Sequence, residues 1–152
     1  MAHAKLTPAQ RRAADPLVAK HRLAMVPGDA ASASTFLGKA KTRIVDLPNV
    51  TMSENKYSLA YDACHDVGKA LLAAYGYKPT NGLGQHETVS LFLKAVLDKP
   101  LADAAARRFD ILRNGRNKLH YSFAPIGAAD ATIAATKAQE LYDAALKRGV
   151  GT

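Results

Sequence analysis

The sequence predicts an all-α fold, an up-and-down bundle of five to six helices, and three observations predict it. Apolar residues recur at intervals of three and four in one segment after another, prolines and glycines punctuate those segments, and no stretch alternates convincingly with period two. The connections are short, which suits antiparallel helix neighbours, and no sheet is expected.

Each element follows from its own signals. Thr7 before Pro8 reads as an N-cap and first helical position, opening a helix over 8–26 that packs on the rest. Asp15 and Pro16 predict a kink or split in it, and the "PGD" at Pro27 ends it. Phe36, Leu37, Ala40, Ile44 and Leu47 set the apolar side of a second helix that Pro48 stops. Ser53 caps a third and longest helix, whose stripe of Tyr57, Ala60, Tyr61, Cys64, Val67, Leu71 and Leu72 breaks at Gly76. "KPTNGLGQ" is a loop by composition and hands over to a short helix from about His86 to Leu97. Another runs from Leu101 or Ala102 to about Tyr121, where "FAPIG" breaks it. The last spans about Ala128 to Lys147, with Ile133, Ala134, Ala138, Leu141, Tyr142 and Leu146 on its apolar side.

A chain of 152 residues fits a single domain over 1–152, with its core at about 30–148. No apolar run approaches the ~20 residues that cross a bilayer, so no membrane insertion is expected. The opening "MAHAKLTPAQRR" lacks the apolar stretch of a signal peptide, and the single cysteine, Cys64, excludes an internal disulfide, so a cytoplasmic location is expected. A net charge of +8 favours polyanionic partners such as nucleic acid, although a lysine and arginine excess also serves solubility alone.

The densest chemistry sits in "RNGRNKLHY", residues 113–121. On a helix Arg113 and His120 lie seven apart, within roughly 20° of one another and about 10 Å along the axis, with Arg116 and Asn117 flanking the same stripe. Phe109, Leu112, Leu119 and Phe123 form the adjoining apolar stripe. The set suits phosphodiester chemistry: imidazole transfers protons near its ordinary pKa of about 6.5, and guanidinium binds phosphate oxygens in pairs. With an RNA 2′-hydroxyl as nucleophile, no metal or other cofactor is required. The plainer alternative is a solvated cationic run that complements a helix C-terminus.

Elsewhere the signals are weaker. His65 with Asp62 and Asp66 could in principle ligate a metal, but such sets are common on helix faces and no metal is expected. Glu54, Asn55 or Asp62 is placed to orient Arg113 or Arg116 from across the bundle. His86 reads as a helix-start residue and Cys64 as a small buried hydrophobe. "NGLG" lacks the lysine and the strand context of a phosphate loop.

"RNGRNKLHY", late in an all-α chain, resembles the HEPN superfamily, the higher eukaryote and prokaryote nucleotide-binding domains. Its nuclease members carry an arginine, often a polar residue after it, and a histidine after a short gap. Arg113, Asn114 and His120 fit that pattern with six intervening positions, at the long end of the spacing. The segment "NKYSLAYDACHDVGKALLAAYGYKPTNGLGQHETVSLFLKAV" also resembles small prokaryotic proteins of this kind, and the resemblance covers about Thr51 to Tyr142.

The resemblance implies a HEPN-like bundle that forms a homodimer, with the two motifs meeting in a composite cleft that cuts RNA without metal and leaves a cyclic phosphate or 3′-phosphate end. It implies a toxin or phage-defence ribonuclease, often beside a nucleotidyltransferase-like antitoxin. His120 would be the general acid or base, and Arg113, assisted by Arg116, would stabilise the transition state. Asn114 and Asn117 would position the strand or hold the arginines, and Tyr121 would stack on a base or pack at the dimer surface. The alternative expectation is a non-catalytic HEPN module that binds a nucleotidyltransferase-like partner, a nucleotide or nucleic acid.

Overall fold

The computed structural model describes residues 5–80, 84–97, 109, 111–116 and 125–150. Their architecture is an all-α, six-helix up-and-down bundle built around one long buried helix. Helix α1 (Pro8–Ala19) opens with a reciprocal cap: Gln10 N donates to Thr7 Oγ1 at 3.1 Å and Thr7 N donates to Gln10 Oε1 at 2.8 Å. The same Gln10 side chain is buried and donates from Nε2 to the Val96 carbonyl at 2.7 Å, which ties α1 to the helix it packs on, α4 (Gln85–Leu97).

Two expectations for this region are corrected. Pro16 lies inside α1 without splitting it, because it falls in the last turns, where little helix remains to be disturbed. The helix also ends at Ala19 and not near 26. His21 takes a positive φ of 58° and the chain turns into a strand, β1 (Leu23–Met25). β1 pairs antiparallel with β2 (Tyr77–Pro79), in the register Leu23 with Pro79 and Met25 with Tyr77. The expectation of no sheet therefore fails by one two-stranded ribbon. Strands of three residues are too short to show a period of two.

Helix α2 (Ala30–Asp46) is capped by Asp29, whose Oδ1 accepts from Ser32 N at 2.9 Å, and it passes into a short 3-10 turn (Leu47–Asn49) at Pro48. Helix α3 (Ser53–Tyr75) follows, with Met52 and not Ser53 at its N-cap. The expected stripe is fully buried, and Ala63, Asp66, Gly68, Ala70 and Ala74 are buried with it, so α3 is enclosed on most of its circumference by α2, α4, β2 and the last helix. Residues 111–116 form α5, with Leu112 and the helical Phe109 before it buried, while Leu119 and Phe123 lie outside the described residues. The last helix, α6 (Ala128–Lys147), buries Ala131, Ala134, Ala138, Leu141, Ala144 and Ala145. Ile133 was expected on that face but is 49% exposed, because an alanine-rich strip lets α6 lie close to α3 and pushes the bulkier residue to the flank.

Gly76 closes α3 in the left-handed conformation, at φ 81°. Its carbonyl accepts from Val26 N at 2.9 Å, and an added Cβ would stand 2.6 Å from the Val26 carbonyl oxygen. Only glycine satisfies both conditions, and the ribbon is sewn to the bundle at this point. Gly76→Ala is expected to lower stability by about 1–3 kcal/mol, read as a reduced urea midpoint with an unchanged slope.

Candidate functional site

α5 lies against α3 at unusually short range, and a tyrosine and a glycine permit it. Tyr57 is buried and its hydroxyl donates to the Leu112 carbonyl at 3.0 Å. A Cβ on Gly115 would fall 2.1 Å from that hydroxyl oxygen, so the glycine inside "RNGRN" is the residue that lets the tyrosine reach the helix backbone. Burial first, and then the Asp130 charge, raises the Tyr57 pKa to about 12, which keeps the donor proton in place.

This docking brings Arg113 and Arg116 over α3. The Arg116 guanidinium carbon stands 5.0 Å from the centre of the Tyr61 ring, and its Nη2 is 3.9 Å from Asp62 Oδ1. Asp62 in turn is 3.9 Å from Arg43 Nη1, and Arg43 Nε is 2.8 Å from Oδ2 of the buried Asp66. A line of alternating charge thus runs from α2 across α3 to α5, with its one well-formed link at the buried end. Of the three residues expected to orient the arginines, Asp62 faces Arg116 at 3.9 Å, whereas Glu54 and Asn55 are exposed in the first turn of α3. Asn114 is exposed on α5, and His120, Asn117 and Tyr121 lie outside the described residues.

Beneath the arginines is a stack of rings. Tyr61 is fully buried and packs on Phe109, with centroids 5.5 Å apart. Its Oη is hydrogen-bonded to His86 Nδ1 at 2.7 Å, and the His86 ring lies on that of His65 at 4.1 Å and 15°. His65 reaches this stack because it follows Tyr61 by one helical turn, while His86 enters from the first turn of α4. A cavity of about 200 Å³ opens here, lined by Tyr61, His86, Glu87, Arg113 and Arg116, with Gly84 and Gln85 beside them.

The electrostatics of the stack are set by burial. His65 is held down to a pKa of about 3, by burial first and then by the neighbouring His86, Lys69 and Arg116. His86 is lowered by burial, Arg116 and Lys69, against a smaller opposing effect of Asp62. Burial raises Tyr61 well above the ordinary phenol range, against the pull of Arg116 and Arg113. The cavity therefore presents two guanidiniums above uncharged rings, with one carboxylate, Glu87, also in its lining and facing Arg22 at 3.4 Å; the guanidiniums outnumber it and can hold an oxyanion by charge and by hydrogen bonds.

No local pattern brings His86 and Tyr61 together, since 25 positions separate them and the packing of α4 on α3 joins them. Cys64 is buried and burial raises its pKa to about 12, which suits a packing role and not a nucleophilic one. Among the described residues no three His, Cys, Asp or Glu side chains gather as a metal site, and no helix is long and apolar enough to cross a membrane. A larger cavity of about 600 Å³ lies on another face, between the ribbon and α2 and α3, where Phe36, Leu72 and Tyr77 line it together with Lys69 and Lys78.

The imidazole stack has a pH signature. Below the ordinary pKa of about 6.5 the unfolded chain takes up a proton at His65 that the folded chain refuses. The folded state refuses it down to about 3, so stability is full above the unfolded pKa and falls as pH drops between the two values. The slope is at most ~1.4 kcal/mol per pH unit, and His86, also lowered, adds to it in the same direction. His65→Phe keeps a stacked ring and removes the titrating group. Urea unfolding of the two proteins between about pH 7 and 4 is expected to show a flatter dependence in the variant, and equal dependences would contradict a buried neutral His65.

No family model, curated protein or solved structure matches the chain, so the function is argued from this geometry and from the sequence.

Proposed function

We propose that the chain is a metal-independent endoribonuclease of the HEPN kind, a cytoplasmic toxin or phage-defence effector that works as a homodimer with RNA in a composite cleft. The observation that carries this reading is the cavity shared by Arg113 and Arg116, two cations over neutral rings where a backbone phosphate can sit. The basic balance of the chain, +8, supports a polyanionic substrate, and the resemblance of residues 51–142 supports the reaction class.

In this reading the 2′-oxygen of the RNA attacks the adjacent phosphorus and its proton passes to an imidazole, His120 in one protomer. The 5′-oxygen leaves, taking a proton from the second motif or from water, and a 2′,3′-cyclic phosphate remains. Arg113, with Arg116 beside it, offsets the charge that builds on the equatorial oxygens. A nucleotidyltransferase-like antitoxin would restrain the enzyme.

The second reading is a non-catalytic HEPN module that binds RNA, a nucleotide or a nucleotidyltransferase-like partner. It is favoured by one feature: Arg113 and Arg116 line the cavity together, and two guanidiniums can bind an anion without catalysing its cleavage.

End-labelled RNA incubated in EDTA with the wild-type protein, His120→Ala and Arg113→Ala separates them. The enzyme reading expects cyclic or 3′-phosphate ends from the wild type and a loss of about 10²-fold or more in each variant. RNA left intact by a folded wild-type protein, but bound with a steep salt dependence that Arg113→Ala weakens, would establish the binding module instead.

A further inference from the structure

His86 lines the cavity although the sequence marks it only as a helix-start residue, and three contacts fix it. Its position at the start of α4 sets the backbone, His65 lies flat beneath its ring, and Tyr61 holds Nδ1 at 2.7 Å. A ring pinned on one face and at one nitrogen has a single orientation, with its other nitrogen on the side away from Tyr61.

The direction of the Tyr61 bond decides the tautomer. Burial keeps the Tyr61 phenol protonated, so its one proton needs an acceptor, and His86 Nδ1 is the partner of that hydroxyl among the described residues. The hydroxyl therefore donates and Nδ1 accepts. A neutral imidazole that accepts at Nδ1 carries its proton on Nε2. Arg116, Lys69, Asp62 and Arg113 act on its protonation, and the cations among them oppose a second proton on the ring, while Glu87, in the lining of the same cavity, faces Arg22 at 3.4 Å.

We propose that this cavity is a phosphate-group site, in which Arg113 and Arg116 supply the charge and His86, its tautomer set by Tyr61, donates a hydrogen bond from Nε2. The roles are complementary. Guanidinium provides long-range attraction and paired hydrogen bonds, while a neutral donor adds a directed bond that tells a tetrahedral oxyanion from a chloride ion. At about 200 Å³ the cavity takes a phosphate and a few waters and leaves an attached sugar outside. The site adds a residue to the proposed RNA-binding face, and it stands whether the bound strand is cut or only held.

The test uses full-length protein labelled with ¹⁵N at histidine, observed in long-range ¹H–¹⁵N correlation spectra near neutral pH. His86 is expected as a neutral ring protonated at Nε2, and inorganic phosphate is expected to shift that signal saturably while equal ionic strength of chloride does not. A 2′-deoxy dinucleotide, which cannot be cleaved through a 2′-hydroxyl, distinguishes the source: a matching shift assigns the site to a phosphodiester within a strand, and none assigns it to a terminal phosphate. His86→Phe retains a ring on His65 and is expected to weaken phosphate binding about tenfold or more. Tyr61→Phe is expected to release the tautomer, visible as a change in the two nitrogen shifts of a chain that still melts cooperatively. A His86 signal indifferent to phosphate, or a ring doubly protonated at neutral pH, overturns the proposal. The cleavage assay fails independently: intact RNA with a phosphate-responsive His86 removes the enzyme reading and keeps this site, and cut RNA with an unresponsive His86 does the reverse.

Discussion

A helix buried on most of its circumference has to be enclosed by partners on every side, and α3 imposes that condition on the rest of the bundle. Its alanines and Gly68 let neighbours approach closely, and α2, α4, β2 and α6 accordingly all pack on it. The same enclosure constrains its polar residues, because a buried hydroxyl, imidazole or carboxylate without a partner costs free energy comparable to a lost hydrogen bond. Tyr57, Tyr61 and Asp66 each reach out to a different element, respectively the α5 backbone, His86 of α4 and Arg43 of α2. The candidate site forms where two of these outward bonds come close together. Its position follows from satisfying α3 as much as from any demand of a ligand.

How far the sequence could be read depended on how local each determinant is. The stripe of α3, its end at Gly76 and the span of α6 rest on periodicity and on single residues with strong backbone preferences, and the structure has all three. The ribbon rests instead on a pairing between Leu23–Met25 and Tyr77–Pro79, two segments too short to carry a pattern, so it was missed. The predicted length of α1 has the same origin, since residues after Ala19 are apolar enough to continue a helix, whereas in the structure Leu23–Met25 pairs with β2. Asp66 shows the same limit. Spacing alone puts it with Asp62 on a helix face, and only the arrival of Arg43 from α2 makes one carboxylate buried and the other half-exposed.

The site divides along the same line. Arg113 and Arg116 stood out because three cations in nine positions are visible without any fold, and Asp62 was reachable as a partner from across the bundle. His86 and His65 were not, because a histidine at a helix start and another on a helix face are each ordinary. Their meaning arises from a ring stack that joins two elements. Gly115 was passed over for a related reason. A glycine between an asparagine and an arginine reads as a weak point in a helix, whereas here it is the clearance that the Tyr57 hydroxyl occupies.

The charge line from Asp66 to Arg116 bears on whether an anion can compete for the cavity. Asp66 and Arg43 form a close pair of which the carboxylate is the buried member, so losing Arg43 would strand the Asp66 charge. Further along, Asp62 stands 3.9 Å from both Arg43 and Arg116, at side chains between 31% and 39% exposed. Contacts of that length between solvated groups contribute about 0–1 kcal/mol, and they weaken further with salt. Arg116 is therefore held in direction by the Tyr61 ring and only loosely in charge by Asp62. It can turn from the carboxylate to an arriving phosphate without breaking a bond of consequence, while Asp62 keeps Arg43 as its partner. A tightly bidentate Asp62 would instead have made the guanidinium a structural cross-link. The looseness of that one contact separates a cation available for binding from a cation spent on the fold.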